Sequence, residues 1–257
     1  PDIEGGYRRI SGYQRHVRQI VPHTSSSDEL VLMVTTFANK ILAARGEKIF
    51  SSAVTDLGRG PASIIAQGTA MTGSGTITVK STTGFSSSGT LQIDSEQFTY
   101  TGVTSTTFTG VTRAVNSTSA AAHNATSDSA RTVISESWTE RDTGRTNAGK
   151  YSFERFNFDG NEKIVVVDGV NDPTVFNSSL SATDVTASAV EGASIVVSFR
   201  EHMFYAGMSS TPQEVVFSQP FDEDAFSSGS GAGSFKVDDT IVGLKVFRDS
   251  LFVFCEN

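Results

Sequence analysis

Four stretches of the chain repeat one pattern, and this repetition limits the fold more than any other feature. They are FANKILAARGEKIFSS from Phe37, FDGNEKIVVVDGVNDPTVFN from Phe158, FREHMFYAGMSSTPQEVVFS from Phe199 and FRDSLFVFCEN from Phe247. Each opens on Phe and two to four polar turn residues. An apolar run follows: Ile41 to Ala44, Ile164 to Val167, Met203 to Ala206 and Leu251 to Phe254. In the first three copies a second turn comes next. A strand then closes the copy on Phe and a small polar residue, at Phe50-Ser51, Phe176-Asn177 and Phe217-Ser218. The unit is strand, turn, strand, turn, strand. Its middle strand is apolar throughout, which requires cover on both faces.

Phe158 and Phe199 stand 41 residues apart, and Phe199 and Phe247 stand 48 apart. A four-stranded propeller blade takes roughly 40–50 residues. The expectation is therefore an all-β fold with a partial β-propeller-like domain, its blade repeats near Phe37, Phe158, Phe199 and Phe247. No stretch holds helical spacing over three turns, and short β-branched runs alternate with Gly, Asn, Asp and Pro, as in β sandwiches, barrels and propellers. The fourth copy stops at its second turn, so the polypeptide is expected to continue past Asn257. The first residue is Pro1 rather than Met, so the chain is also expected to lack its true N-terminus.

The first gap, from Phe37 to Phe158, is 121 residues. Within it, Gly73 to His123 has another texture, rich in Ser, Thr and Gly. Apolar and polar residues alternate through TITV, LQID, QFTY and TFTGVTR, as in a sheet with one wet face. The expected organisation is an N-terminal arm and first blade over 1–68, an inserted small β domain over 69–130, and further blades over 131–257, incomplete at the C-terminus. RTVISESWTERD, Arg131 to Asp142, is expected to resume the propeller with Trp138 in its core.

Motifs for chemistry are sparse. GRTNAGKY, Gly144 to Tyr151, matches most of a phosphate loop, but Tyr151 stands where the Mg²⁺-binding hydroxyl belongs and the following residues alternate as a strand. It reads as a turn between blade strands. The four histidines, His16, His23, His123 and His202, have no metal-binding spacing. Acidic residues cluster at Asp222-Glu-Asp224, at Asp238-Asp239 and at Asp168 with Asp172, without a calcium-loop pattern, and read as solvated turns. Two carboxylates brought together by the fold could still form a glycosidase pair. The single cysteine, Cys255, excludes an internal disulfide and any Cys-based zinc site. No catalytic, cofactor-binding or metal-ligating residue is assigned. The N-x-[ST] sites at Asn116, Asn124 and Asn177 matter only in a eukaryotic secretory protein. No run approaches the length of a membrane span, and no signal-peptide pattern is present. The net charge of −8 argues against a general nucleic-acid-binding surface, which needs clustered Lys and Arg.

Three stretches resemble tailed-bacteriophage virion proteins: DIEGGYRRISGYQRH, GTLQIDSEQFTYTGV with FTGVTRAVNSTSAAAH, and VFSQPFDEDAF with GSFKVDDTIVGLKVFRDSLFVFCEN. The first and third are similar to segments of tail nozzle or tail-tubular proteins built on a β-propeller. The second is similar to a small β module of tail and fibre proteins. The resemblance implies a structural virion subunit, nozzle- or hub-like, located in the phage tail and made in the bacterial host cytoplasm. It implies a homo-oligomeric ring, neighbouring virion proteins such as a tail adaptor and fibres, transient passage of DNA, and no enzymatic activity. An acidic conduit would repel the phosphates of passing DNA. The expected assembly contacts are Tyr7, Arg8, Arg9 and Tyr13 in the arm and Phe98, Tyr100 and Phe108 in the insertion, because Tyr and Arg are enriched at interface hot spots. The alternatives are a receptor- or glycan-binding tail fibre, neck or capsid-decoration protein, and a propeller enzyme acting on polysaccharide.

Overall fold

A computed structural model describes residues 21–22, 30–52, 61–67, 73–116, 118–123, 133–136, 138–147 and 149–256. It is nearly all-β; the helical part among these residues is one 3-10 turn at Ser228–Ser230. Three strands open the first sheet: β1 (Val31–Phe37), β2 (Lys40–Arg45) and β3 (Lys48–Ser51). The chain then leaves this sheet for β4 (Ala62–Ile64), β5 (Gly75–Thr78), β6 (Gly89–Ile93), β7 (Glu96–Tyr100), β8 (Gly102–Val103), β9 (Thr107–Val111) and β10 (Val133–Glu136). It returns with β11 (Thr139–Asp142), which pairs with β3 and closes the order β1-β2-β3-β11.

The second sheet runs β12 (Ser152–Phe156), β13 (Lys163–Val167), β14 (Thr174–Phe176) and β15 (Ala182–Asp184). The third runs β16 (Ile195–Phe199), β17 (His202–Ala206), β18 (Glu214–Phe217) and β19 (Gly233–Lys236). The fourth has two strands among the described residues, β20 (Ile241–Phe247) and β21 (Ser250–Cys255).

The repeated Phe is now legible as a hairpin position. Phe37 pairs with Lys40, Phe199 with His202 and Phe247 with Ser250, each across two turn residues. At Ala38-Asn39 and Arg200-Glu201 both turn residues have positive φ, the backbone of a primed turn that matches strand twist. The second copy differs. There Phe156 pairs with Lys163 across a longer loop, so the equivalent of Phe37 is Phe156, and Phe158 lies in that loop with its ring 4.9 Å from that of Phe156.

The apolar middle strands are sandwiched as their composition requires. Along β13, Ile164 and Val166 face a core shared with Met33, Phe37, Leu42 and Ile49 of the first sheet. Val165 and Val167 face the other way, into a core shared with Met203 and Tyr205 of the third sheet. Strand period 2 sends alternate residues to opposite faces, so both must be apolar when both faces are covered. A third core joins Ala206 and Val215 of the third sheet to Ile241, Leu244 and Val253 of the fourth. The first strands line up, with β16 lying against β12 and against β20. Four sheets thus stack in series, face on face.

Strands β4 to β10 form two further sheets, in the orders β4-β10-β6-β7 and β5-β9-β8. Their shared core holds Ile65, Ile77, Leu91, Ile93, Phe98, Tyr100 and Phe108. This changes the expected boundaries of 69–130. Strand β4 was expected with the first blade and β10 with the later ones, yet they pair with each other, Ala62 opposite Ser135. Sheet pairing overrides local texture here, because an unpaired strand end leaves backbone groups without partners. Trp138 is buried, with Ala43, Phe50 and Val21, on the outer face of the first sheet.

Candidate functional site

The polar groups that bind the sheets together come from the turns and from the strands themselves. Arg145 follows β11 and is buried between the first and second sheets. Its Nη1 donates to Asp142 Oδ2 and to Thr174 Oγ1, each at 2.6 Å, and its Nη2 donates to Asp168 Oδ2 at 2.6 Å. Asp168 also accepts from the amides of Val170 and Asn171. Burial alone would raise the Asp168 carboxyl, but Arg145 and the two amides outweigh it and hold it below its ordinary value. Burial alone would lower the Arg145 guanidinium; its partner Asp168 outweighs that and raises it. GRTNAGKY is therefore a linker from β11 to β12 that carries the buried guanidinium, and Tyr151 enters the core between the two sheets. Sequence reading treated Asp168 as a solvated turn residue and missed the cluster. Its members are scattered over the chain, and no spacing rule joins them.

The joint between the second and third sheets has its own polar links. Glu154 of β12 accepts from the Ser198 amide and hydroxyl of β16, at 3.2 and 2.7 Å. Lys163 donates to Glu223 at 2.8 Å, and the buried Tyr205 hydroxyl donates to the Glu223 carbonyl at 3.1 Å. Neighbouring Asp224 is raised, first by its hydrogen bond with Asp222 and then by burial.

In the inserted unit, Glu96 is buried and fully engaged. It accepts from Arg113 Nε at 2.9 Å and Nη2 at 2.8 Å, and from the Ala121 amide at 2.8 Å. His123 Nε2 lies 2.9 Å from the same carboxylate. Burial pushes Glu96 up, but these hydrogen bonds prevail and hold it low. They pin Arg113, Ala121 and His123 onto β7.

Of the expected assembly contacts, Tyr7, Arg8, Arg9 and Tyr13 lie outside the described residues. Phe98, Tyr100 and Phe108 are placed in the core of the inserted unit, at 0%, 3% and 0% exposure. Their expected role as surface contacts is corrected: they pack on each other, Tyr100 and Phe108 edge to face at 4.9 Å, and the Tyr100 hydroxyl donates to the Ser86 carbonyl.

The exposed aromatic surface lies elsewhere. Phe254 sits opposite Gly243 and Phe252 opposite Lys245, on the face of the fourth sheet turned away from the third. Phe247, Phe252 and Phe254 are 61%, 47% and 51% exposed. On β19, Phe235 is also half-exposed. Strand β21 reads SLFVFC, without charge or proline, so nothing in it blunts its edge.

Two clefts open along the outer joint between the second and third sheets. The larger, of about 410 Å³, is lined by Glu214, Val216 and Phe217 of β18, Ser234 of β19, and residues of the adjoining loops. The smaller, of about 260 Å³, holds the Lys163–Glu223 pair with Asp224, Asn177 and Thr183. Among the described residues, no group of three or more His, Cys, Asp or Glu is placed to hold a metal ion. Nor is any helix among them long and apolar enough to cross a membrane.

The fold and its surfaces define an all-β protein of serially stacked antiparallel sheets with an inserted β unit. No protein-family model and no curated protein matches the chain. Among solved structures, it is similar to a chain of the BBS1N–ARL6DN complex soaked with mercury, at 8% identity and a TM-score of 0.29. That alignment covers 88% of this chain and 60% of the other, so the chain spans less than two thirds of that length. A chain of the lead-soaked complex is similar at 10% identity and a TM-score of 0.29, over 93% of this chain and 79% of the other. Likeness at this level carries no argument about function.

Proposed function

We propose that the chain is a structural subunit of a bacteriophage virion, nozzle- or hub-like, whose stacked sheets are blades of a β-propeller. The subunit works as a rigid scaffold in a homo-oligomeric ring at the tail, bound to neighbouring virion proteins, with DNA passing through the ring. The observation that carries this reading is the serial stacking: the second and third sheets are buried on both faces, and β12, β16 and β20 run side by side. Stacking of that kind transmits load along the series, because each interior is close-packed and resists deformation. The net charge of −8 suits a conduit that must release phosphate. In this assembly the aromatic face of β20 and β21 is covered by a neighbouring copy of the chain.

Gold-labelled antibody raised against the chain is expected to mark the tail tip of intact particles. Particles that carry no label at any position overturn the reading. A second measurement addresses the aromatic face. Phe254→Lys is expected to reduce self-association of the 257-residue chain in sedimentation velocity while leaving its Tm unchanged, since the ring is half-exposed. A marked fall in Tm would show that the ring is buried and the order of stacking wrong.

A further inference from the structure

We infer that the smaller cleft is a modification site: Lys163 and Asn177 join there in an amide between their side chains, with Glu223 carrying the protons. The inference goes beyond the scaffold reading, and its failure leaves that reading untouched.

The strand register brings the two reacting groups together. Ile164 pairs with Phe176 and Val165 with Val175, so the next step of the same antiparallel ladder sets Lys163 opposite Asn177. Directly opposed residues share one face, with Cβ atoms about 4.5–5.5 Å apart. Val165 and Val175 mark that face, since both enter the core shared with the third sheet. Strand period 2 sends Lys163 and Asn177 the same way. Both line the cleft of about 260 Å³, and Glu223 and Asp224 line it with them.

The other parts of an acyl transfer are in place. Lys163 Nζ donates to Glu223 Oε1 at 2.8 Å, and Glu223 is buried. The Asn177 side-chain oxygen Oδ1 accepts from the amides of Ser179 and Ser181, each at 3.0 Å. Two backbone N–H groups aimed at one carbonyl oxygen polarise it and hold the negative charge that forms there during attack. The loop that supplies these amides is anchored by Leu180, which is buried between the first and second sheets.

The step balances within these residues. Glu223 takes one proton from the Lys163 ammonium, and the freed Nζ lone pair adds to Asn177 Cγ. The C=O electron pair moves to Oδ1. Glu223 passes its proton to Nδ2 and takes a second proton from Nζ. The Cγ–Nδ2 bond breaks, the C=O bond reforms, and ammonia leaves with that second proton as ammonium. Nζ keeps one hydrogen in a neutral amide, and nothing is oxidised or reduced. Burial would lower the Lys163 ammonium, but Glu223 outweighs it and holds it above its ordinary value. The free amine is therefore scarce at neutral pH, and the bond should form slowly there and faster as the pH rises.

The test is the intact mass of the 257-residue chain, followed over time at neutral and mildly alkaline pH. The mass is expected to fall short of the sequence mass by one ammonia, sooner at the higher pH. Digestion before aspartates cuts at Asp168 and Asp172, between the joined residues. It should release residues 159–167 linked to residues 172–183 as one branched peptide. Lys163→Arg keeps the positive charge beside Glu223 and should keep the full mass. Glu223→Gln should slow the loss about a hundredfold, the loss of one general acid–base group. A parent chain that stays at its sequence mass at both pH values overturns the inference. So does an ammonia loss that persists in Lys163→Arg, because an asparagine that cyclises on its own backbone loses ammonia without any lysine.

Discussion

Arg145→Met is expected to destabilise the chain by about 3–5 kcal/mol, a fall in Tm of roughly 10 °C, read by calorimetry. The methionine fills much of the same space, so the loss is electrostatic rather than a cavity. It strands the Asp168 carboxylate, which is buried and took 2.6 Å hydrogen bonding from Nη2. It also releases Asp142 and Thr174 from the guanidinium, so the first and second sheets lose one of the polar links between them. The pH dependence has a definite sign. Asp168 is held below its ordinary value of 3.8, so its contribution is complete above that value. It is lost as the pH falls through the lower, folded-state value. The gap between Arg145→Met and the parent chain should therefore shrink in acid. A gap that is constant from neutral pH down to acid unfolding would mean that the carboxylate is not the stranded group.

Phe108→Ala is expected to cost about 3–5 kcal/mol, the range for emptying a buried Phe site. The ring is fully buried and touches both Phe85, at 5.0 Å, and Tyr100, at 4.9 Å. The damage should be local. Hydrogen exchange should speed up in β5 to β9 and stay slow in β13 and β17, because the inserted unit has a core of its own. If Phe108 were a surface contact, the substitution would instead leave exchange unchanged and weaken assembly only.

That contrast shows where sequence reading ran out. Alternation along EQFTY places Glu96, Phe98 and Tyr100 on one face of β7, but it does not say which face meets water. An aromatic residue has the same character in a core and in an interface. The presence of buried Glu96 on that face would have argued for solvent, yet Arg113, Ala121 and His123 satisfy it from a distant loop. By contrast, the apolar middle strands were legible, since Ile164 to Val167 can be buried on both faces only between two layers. The hairpin after Phe37, Phe199 and Phe247 was legible as well, because two-residue turns leave a fixed spacing. It failed at Phe158, where a longer loop let one Phe stand in for another. The larger cleft escaped notice altogether: Ser188 in a loop and Ser234 on β19 come to one space only through the fold.

The insertion between β3 and β11 has a consequence for how the chain reaches its fold. The first sheet needs Ser51 to meet Thr139 across the whole inserted unit. Closing so long a loop in a flexible chain costs entropy that grows slowly with length, by about 0.6 kcal/mol for each doubling. Here β4 and β10 pair antiparallel, Ala62 with Ser135, so the two ends of the unit leave from one place. Once the unit has formed, it spans the gap as a short bridge rather than a long tether. An inserted unit that forms early would deliver the last strand of the first sheet to its edge at little further cost in chain entropy.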